Sequence, residues 1–90
     1  MSSTGSPIRK PSPEIRQRLS ANLKRLREAR GYTQEDLATR CRLNKNHISN
    51  VEQGRLNVTL ATLETLAKGL RCNEEELLKH LPPTRVLVRS

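Results

Sequence analysis

Apolar residues between Leu19 and Leu78 recur at steps of three and four, and the run is broken at short intervals by residues that start or stop helices. That pattern confines the chain to short amphipathic helices joined by tight turns. Leu19, Leu23, Leu26 and Ala29 fall on one face of a first helix over about 14–30, and Gly31 supplies its stop. Thr33, with Asp36 after it, opens a second helix over about 34–41, whose first turn carries Glu35 and Asp36 at the positive end of the helix dipole. Asn44 caps a third over about 45–53, which Gly54 ends in the left-handed conformation that glycine adopts at least cost. Thr59 caps a fourth, with Leu60, Leu63, Leu66, Ala67 and Leu70 expected inward. Asn73 and Glu76 make a capping-box-like start to a short fifth helix ending near His80. The expected fold is all-α, with five helices in one domain.

Such a fold must have an aliphatic core, because Tyr32 is the sole aromatic residue among 90. Leu, Val, Ile and Ala therefore fill it. Residues 1–13, with three Pro and four Ser, are too polar to offset the entropy of ordering and are expected as a flexible basic N-terminal tail. The domain proper is expected over 14–81, and 82–90 as a C-terminal tail whose Val86-Leu87-Val88 is too short to assign to strand or coil. Cys41 and Cys72 fall in helix-like segments without metal or redox spacing and read as reduced core thiols. No metal and no cofactor is expected. The chain has no apolar run near the ~18 residues of a membrane span and no apolar export segment, so a soluble, cytoplasmic protein with no membrane partner is expected.

Lys and Arg number 17 against 9 Asp and Glu, a net charge of +8 that suits a polyanionic partner. The excess is concentrated in residues 1–32, which carry eight basic and two acidic side chains. The segment Gln34 to Val51 says what that partner is. Only Arg42-Leu43-Asn44 separates the second and third helices, a spacing suited to a helix-turn-helix whose second helix enters the major groove of DNA. Leu37, Ala38, Cys41, Leu43, Ile48 and Val51 stand where the two helices touch each other and the core, and Ala38 is small enough to let them cross closely. Lys45, Asn46, Ser49 and Asn50 form the outward side of the third helix. Asn matches the acceptor and donor of adenine, and Lys the two acceptors of guanine. An ordinary solvated surface is the alternative, but that would more often carry Glu–Lys pairs at i,i+4. Neither a carboxylate or His cluster nor a paired nucleophile and base is evident, so an enzyme is not expected.

The run Leu26-Arg27-Glu28-Ala29-Arg30-Gly31-Tyr32-Thr33-Gln34-Glu35-Asp36-Leu37-Ala38, with Ile48-Ser49-Asn50-Val51-Glu52-Gln53-Gly54, resembles the phage repressor and Cro-like helix-turn-helix family, or Xre family, over about residues 19–80. Arg55-Leu56-Asn57-Val58-Thr59-Leu60 and the preceding Cys41 are most similar to the controller proteins of restriction-modification systems. The resemblance implies a five-helix lambda-repressor-like DNA-binding domain. It implies base contacts from Lys45, Asn46 and Asn50, with Ser49 secondary, and phosphate contacts from Gln34, Asn44 and Arg55. It also implies an interior salt bridge between Arg27 and Glu52. The sequence departs from the family at Arg42, where Gly is usual, so either a non-Gly residue takes a left-handed backbone or the turn differs. Lys45 replaces a more usual polar residue and can serve a guanine or a phosphate. His47 falls between the base side and the core edge, as a plain surface residue or a contact. Arg9 and Lys10 either reach along a groove or merely raise the local field. His80 suits a helix C-terminus better than a ligand role.

One helix reads only a handful of base pairs, which points to a sequence-specific transcriptional regulator binding a palindromic operator as a homodimer, with half-sites about 34 Å apart. Leu77, Leu78 and Leu81 exceed what a short terminal helix needs for its own packing, and Leu78 and Leu81 are expected at the dimer interface. The expected partners are double-stranded DNA, a second copy and RNA polymerase. The biological role stays open between a restriction-modification controller, a prophage-type repressor and an antitoxin that binds a toxin protein and represses its own operon.

Overall fold

A computed structural model describes residues 12–80 of the chain. Arg9, Lys10, Leu81 and the whole C-terminal tail lie outside the described residues, as does the first tail up to residue 11. Among the described residues the secondary structure is five helices and no strand: α1 (Pro13–Ala29), α2 (Gln34–Cys41), α3 (Lys45–Glu52), α4 (Leu60–Leu70) and α5 (Glu74–Leu78). None of them is long and apolar enough to cross a membrane.

Side-chain caps set where the helices start. Ser12 Oγ accepts from the Ile15 N–H at 3.2 Å, and Pro13 takes the first helical position, where its missing N–H costs nothing. Thr33 and Asp36 form a reciprocal capping box, each side chain accepting from the other's backbone N–H at 2.9 Å. Asn44 Oδ1 accepts from the His47 N–H at 2.8 Å, and Thr59 Oγ1 from the Thr62 N–H at 3.1 Å. The fifth start differs from expectation, since the Asn73 side chain makes no cap bond and only its carbonyl accepts from the Glu76 N–H. α5 also stops at Leu78, short of His80. Its terminal carbonyls are satisfied from another helix instead: Asn22 Nδ2 donates to the carbonyls of Leu77 at 3.0 Å and Lys79 at 2.9 Å.

α1 to α4 all end in the same pair of bonds, with a left-handed residue donating to a carbonyl three back and its successor to one five back. Gly31 and Gly54 fill that position after α1 and α3, whereas Arg42 and Arg71 fill it after α2 and α4, at φ 57° and 58°. The turn between α2 and α3 thus keeps its tight shape with a non-Gly residue in the left-handed region, at a cost of about 1–2 kcal/mol.

The core is aliphatic, as the single aromatic residue requires. Leu23, Leu37, Ile48, Leu66, Leu70 and Leu77 are completely enclosed, and Tyr32, Leu43, Leu56, Val58 and Leu78 pack at its margin. α4 presses on α2 through Gly69, where a Cβ would collide with Cys41 Sγ. Three expectations are corrected. Ala29 is exposed, because the last turn of α1 runs past the core, while Asn22, on nearly the same side but mid-helix, is fully buried. Leu60 is 83% exposed, because the Cβ of a first helical residue tilts back beyond the helix end and away from the core. Cys72 is half-buried in the turn after α4 and not in a helix, while Cys41 is buried in α2, and both thiols are free.

Candidate nucleic-acid interface

α3 is anchored by Ile48 and Val51, which are buried against α2 and α1. Ala38 lies buried at the α2–α3 crossing, and its carbonyl accepts from the Leu43 N–H at 2.9 Å, which closes the turn. With that side committed, Lys45, Ser49, Asn46 and Asn50 spread over an arc of about 140° on the other side. Lys45 and Asn46 are exposed, and Ser49 and Asn50 half-buried. The structure adds Gln53, an exposed residue just past α3 whose Nε2 donates to Ser49 Oγ at 3.0 Å. Its i+4 spacing from Ser49 was the signal for it, masked by its place at the helix end.

The one carboxylate on α3, Glu52, falls about 20° beyond the Lys45 edge of this arc, but its side chain is buried in the fold. Arg27 Nε donates to Glu52 Oε2 at 2.6 Å and Arg27 Nη2 to Oε1 at 3.2 Å, a two-pronged bond with both side chains almost entirely buried. Arg27 Nη1 also donates to the Tyr32 carbonyl at 2.7 Å. The hydrogen bond to Glu52 pushes the Arg27 pKa up, against the desolvation that would lower it, so the guanidinium keeps its charge. The outward side of α3 is therefore left with one cation and neutral hydrogen-bonding groups. No intramolecular hydrogen bond among the described residues occupies the side-chain amides of Asn46 and Asn50.

Glu52 Oε1 also accepts from Gln34 Nε2 at 3.0 Å. Gln34, expected at a phosphate, thus links the start of α2 to α3, and a phosphate would have to take its remaining amide hydrogen. Asn44 commits Oδ1 to its cap, leaving Nδ2 free to donate outward. Arg55 is exposed on the loop after α3, with its N–H held by the Asn50 carbonyl at 2.9 Å. His47 is half-buried, and its Nε2 is enclosed without a partner, which puts the ring at the core edge. Arg40 lies 4.2 Å above the Tyr32 ring. Leu78 is half-buried in an apolar groove beside Ile15, Leu56, Val58 and Leu60, of which Ile15 and Leu60 are exposed.

A family model described as a helix-turn-helix domain matches residues 18–81. A hypothetical transcription factor of Neisseria meningitidis serogroup B is 36% identical over 70 residues, covering 78% of this chain and 64% of its own length. The chain thus spans less than two thirds of that relative. The control protein C.SmaI of Serratia marcescens is 37% identical over 65 residues, 72% of this chain and 77% of its own. A restriction-modification controller protein, solved as a tetramer in complex with its natural 35 base-pair operator, superposes with a TM-score of 0.65 at 33% identity, over 72% of this chain and 96% of the other.

Proposed function

The chain belongs to the helix-turn-helix family of transcriptional regulators, and from that premise we propose that α3 enters the major groove and reads a specific operator. The chain is a regulator and not an enzyme. One observation carries the reading: the outward side of α3 holds Lys45, Asn46, Ser49 and Asn50, while its single carboxylate is neutralised inside the fold. A groove lined with base edges and flanked by phosphates favours that combination, and an exposed carboxylate would oppose it. Asn46 and Asn50 read adenines, Lys45 takes a guanine or a phosphate, and Ser49 contributes through its hydroxyl. Gln34, Asn44 and Arg55 grip phosphates on either side.

A single α3 covers too few base pairs for tight binding, so two copies act together on a palindrome with half-sites about 34 Å apart. Their contact runs through the apolar groove that carries Leu78. Occupied operator then either blocks RNA polymerase or touches it, in the bacterial cytoplasm. The role we favour is controller of a restriction-modification system, supported by the controller relatives and by the run Arg55 to Leu60.

Titration of the protein against labelled DNA from upstream of its own coding region, beside a scrambled copy, tests the proposal. Specific retention of the native fragment is expected, and equal affinity for both would reject operator reading. Asn46→Ala or Asn50→Ala should cost ~1–3 kcal/mol and relax preference at one base pair, whereas Arg55→Ala should weaken all sequences alike and lower the salt slope by about one.

A further inference from the structure

Arg16 lies on α1 and has no acidic partner among the described residues. Its stem runs along the wall of the apolar groove with Leu19, Leu56, Val58 and Leu63, and its Nε is enclosed there without a hydrogen-bond partner. The far end of the guanidinium emerges at the loop after α3, where Nη1 donates to the Gly54 carbonyl at 3.4 Å. Among the described residues this is the one hydrogen bond joining α1 to residues 53–59.

Gly54 is left-handed at φ 72°, its N–H is held by the Val51 carbonyl at 3.0 Å, and the next N–H, that of Arg55, is held by Asn50. α3 thus fixes the two amides of this loop, and Arg16 fixes the carbonyl between them. The residue that follows that carbonyl is Arg55, whose side chain is exposed. Burying part of a cation without an acid is costly, and a bond that holds a loop gives the arrangement a use.

We propose that Arg16 is a positioning residue for DNA binding, which locks the Gly54–Arg55 peptide against α1 so that the Arg55 guanidinium is presented to a phosphate in advance. The inference rests on the reading of Arg55 as a phosphate ligand. A ligand held in place beforehand loses less freedom on binding, so removing the strut weakens the contact without removing the charge that makes it.

The test uses the full chain and a fluorescein-labelled random-sequence duplex, since phosphate contacts do not depend on sequence. Dissociation constants are measured over a salt series for the wild type, Arg16→Ala, Arg55→Ala and the double variant, with thermal melts of each. Both single variants should bind several-fold more weakly, Arg55→Ala with a salt slope lower by about one and Arg16→Ala with a slope near that of the wild type, and the double variant should match Arg55→Ala. Arg16→Lys, which keeps a donor, should recover part of the loss. If Arg16→Ala fails to fold, Arg16→Gln, which keeps most of the stem in the groove, takes its place in the cycle. Losses and slope changes that add in the double variant would mean that Arg16 meets phosphate itself, and would overturn the positioning role. Wild-type binding by Arg16→Ala beside weak binding by Arg55→Ala would also overturn it, while leaving Arg55 as a ligand. Wild-type binding by both would instead remove the premise about Arg55.

Discussion

Glu52 stands on the helix that we propose meets a polyanion, and its burial keeps a carboxylate off that surface. Both of its oxygens are engaged, by Arg27 and Gln34, so one carboxylate ties α1 and the start of α2 to α3. Glu52→Gln leaves the Arg27 guanidinium enclosed with only the exposed Glu28 carboxylate, 3.8 Å away, as counter-charge, and should lower stability by about 3 kcal/mol, the lower end of the range for a broken buried pair, because the Tyr32 carbonyl still accepts from it. Urea denaturation measures that loss, and an apolar replacement of both partners should recover most of it. The pair was legible only through family resemblance, since residues 25 apart have no local reason to meet. Asn22 was not legible at all: it looks like one more polar residue on α1, and only the arrival of α5 makes it a double donor to Leu77 and Lys79. Asn22→Leu should cost about 1–3 kcal/mol in the same assay, because two acceptors lose their donor.

At the level of the helix, starts follow side chains and stops follow backbone conformation. Thr33, Asn44 and Thr59 could be read in advance because a cap closes within three residues and needs no partner from elsewhere. Asn73 and Leu60 misled for the opposite reason, since packing decides whether a five-residue helix is capped and where a first-turn leucine points. In the box at α2, the Thr33 backbone N–H and then the Thr33 side chain hold the Asp36 carboxyl below its ordinary pKa. Folding therefore favours the ionised form, so the cap contributes in full above about pH 4 and is lost as pH falls through the depressed folded value. Thermal melts of wild type and Asp36→Asn across an acid titration should differ most near neutrality and converge at the acid end. At the C-terminus of α4, Arg71 occupies a left-handed position that glycine fills more cheaply. Arg71→Gly should raise the urea midpoint by the equivalent of about 0.5–1 kcal/mol, the left-handed cost less glycine's extra entropy in the unfolded chain.

The whole molecule depends on how closely its helices approach. Gly69, the last residue but one of α4, looks like a weak point in a helix, and alanine there would ordinarily help by up to about 1 kcal/mol. Here Gly69→Ala should instead destabilise, by about 1 kcal/mol net, because its Cβ meets Cys41 Sγ in a close-packed interior. Cys41→Ala in the same chain removes the obstruction and should turn the Gly69→Ala effect favourable, a coupling that a double-mutant cycle reads directly. The sequence by itself determined the all-α character, the helix starts at Thr33, Asn44 and Thr59, the aliphatic interior and the polar side of α3, because periodicity and capping act over a few residues of one chain. Tertiary structure alone decided that Glu52 is silenced, that Asn22 ends α5, that Gly69 must stay bare and that Arg16 reaches Gly54. Each of those depends on atoms far apart in the chain being brought within contact distance, and nothing in the local order of residues specifies that separation in space.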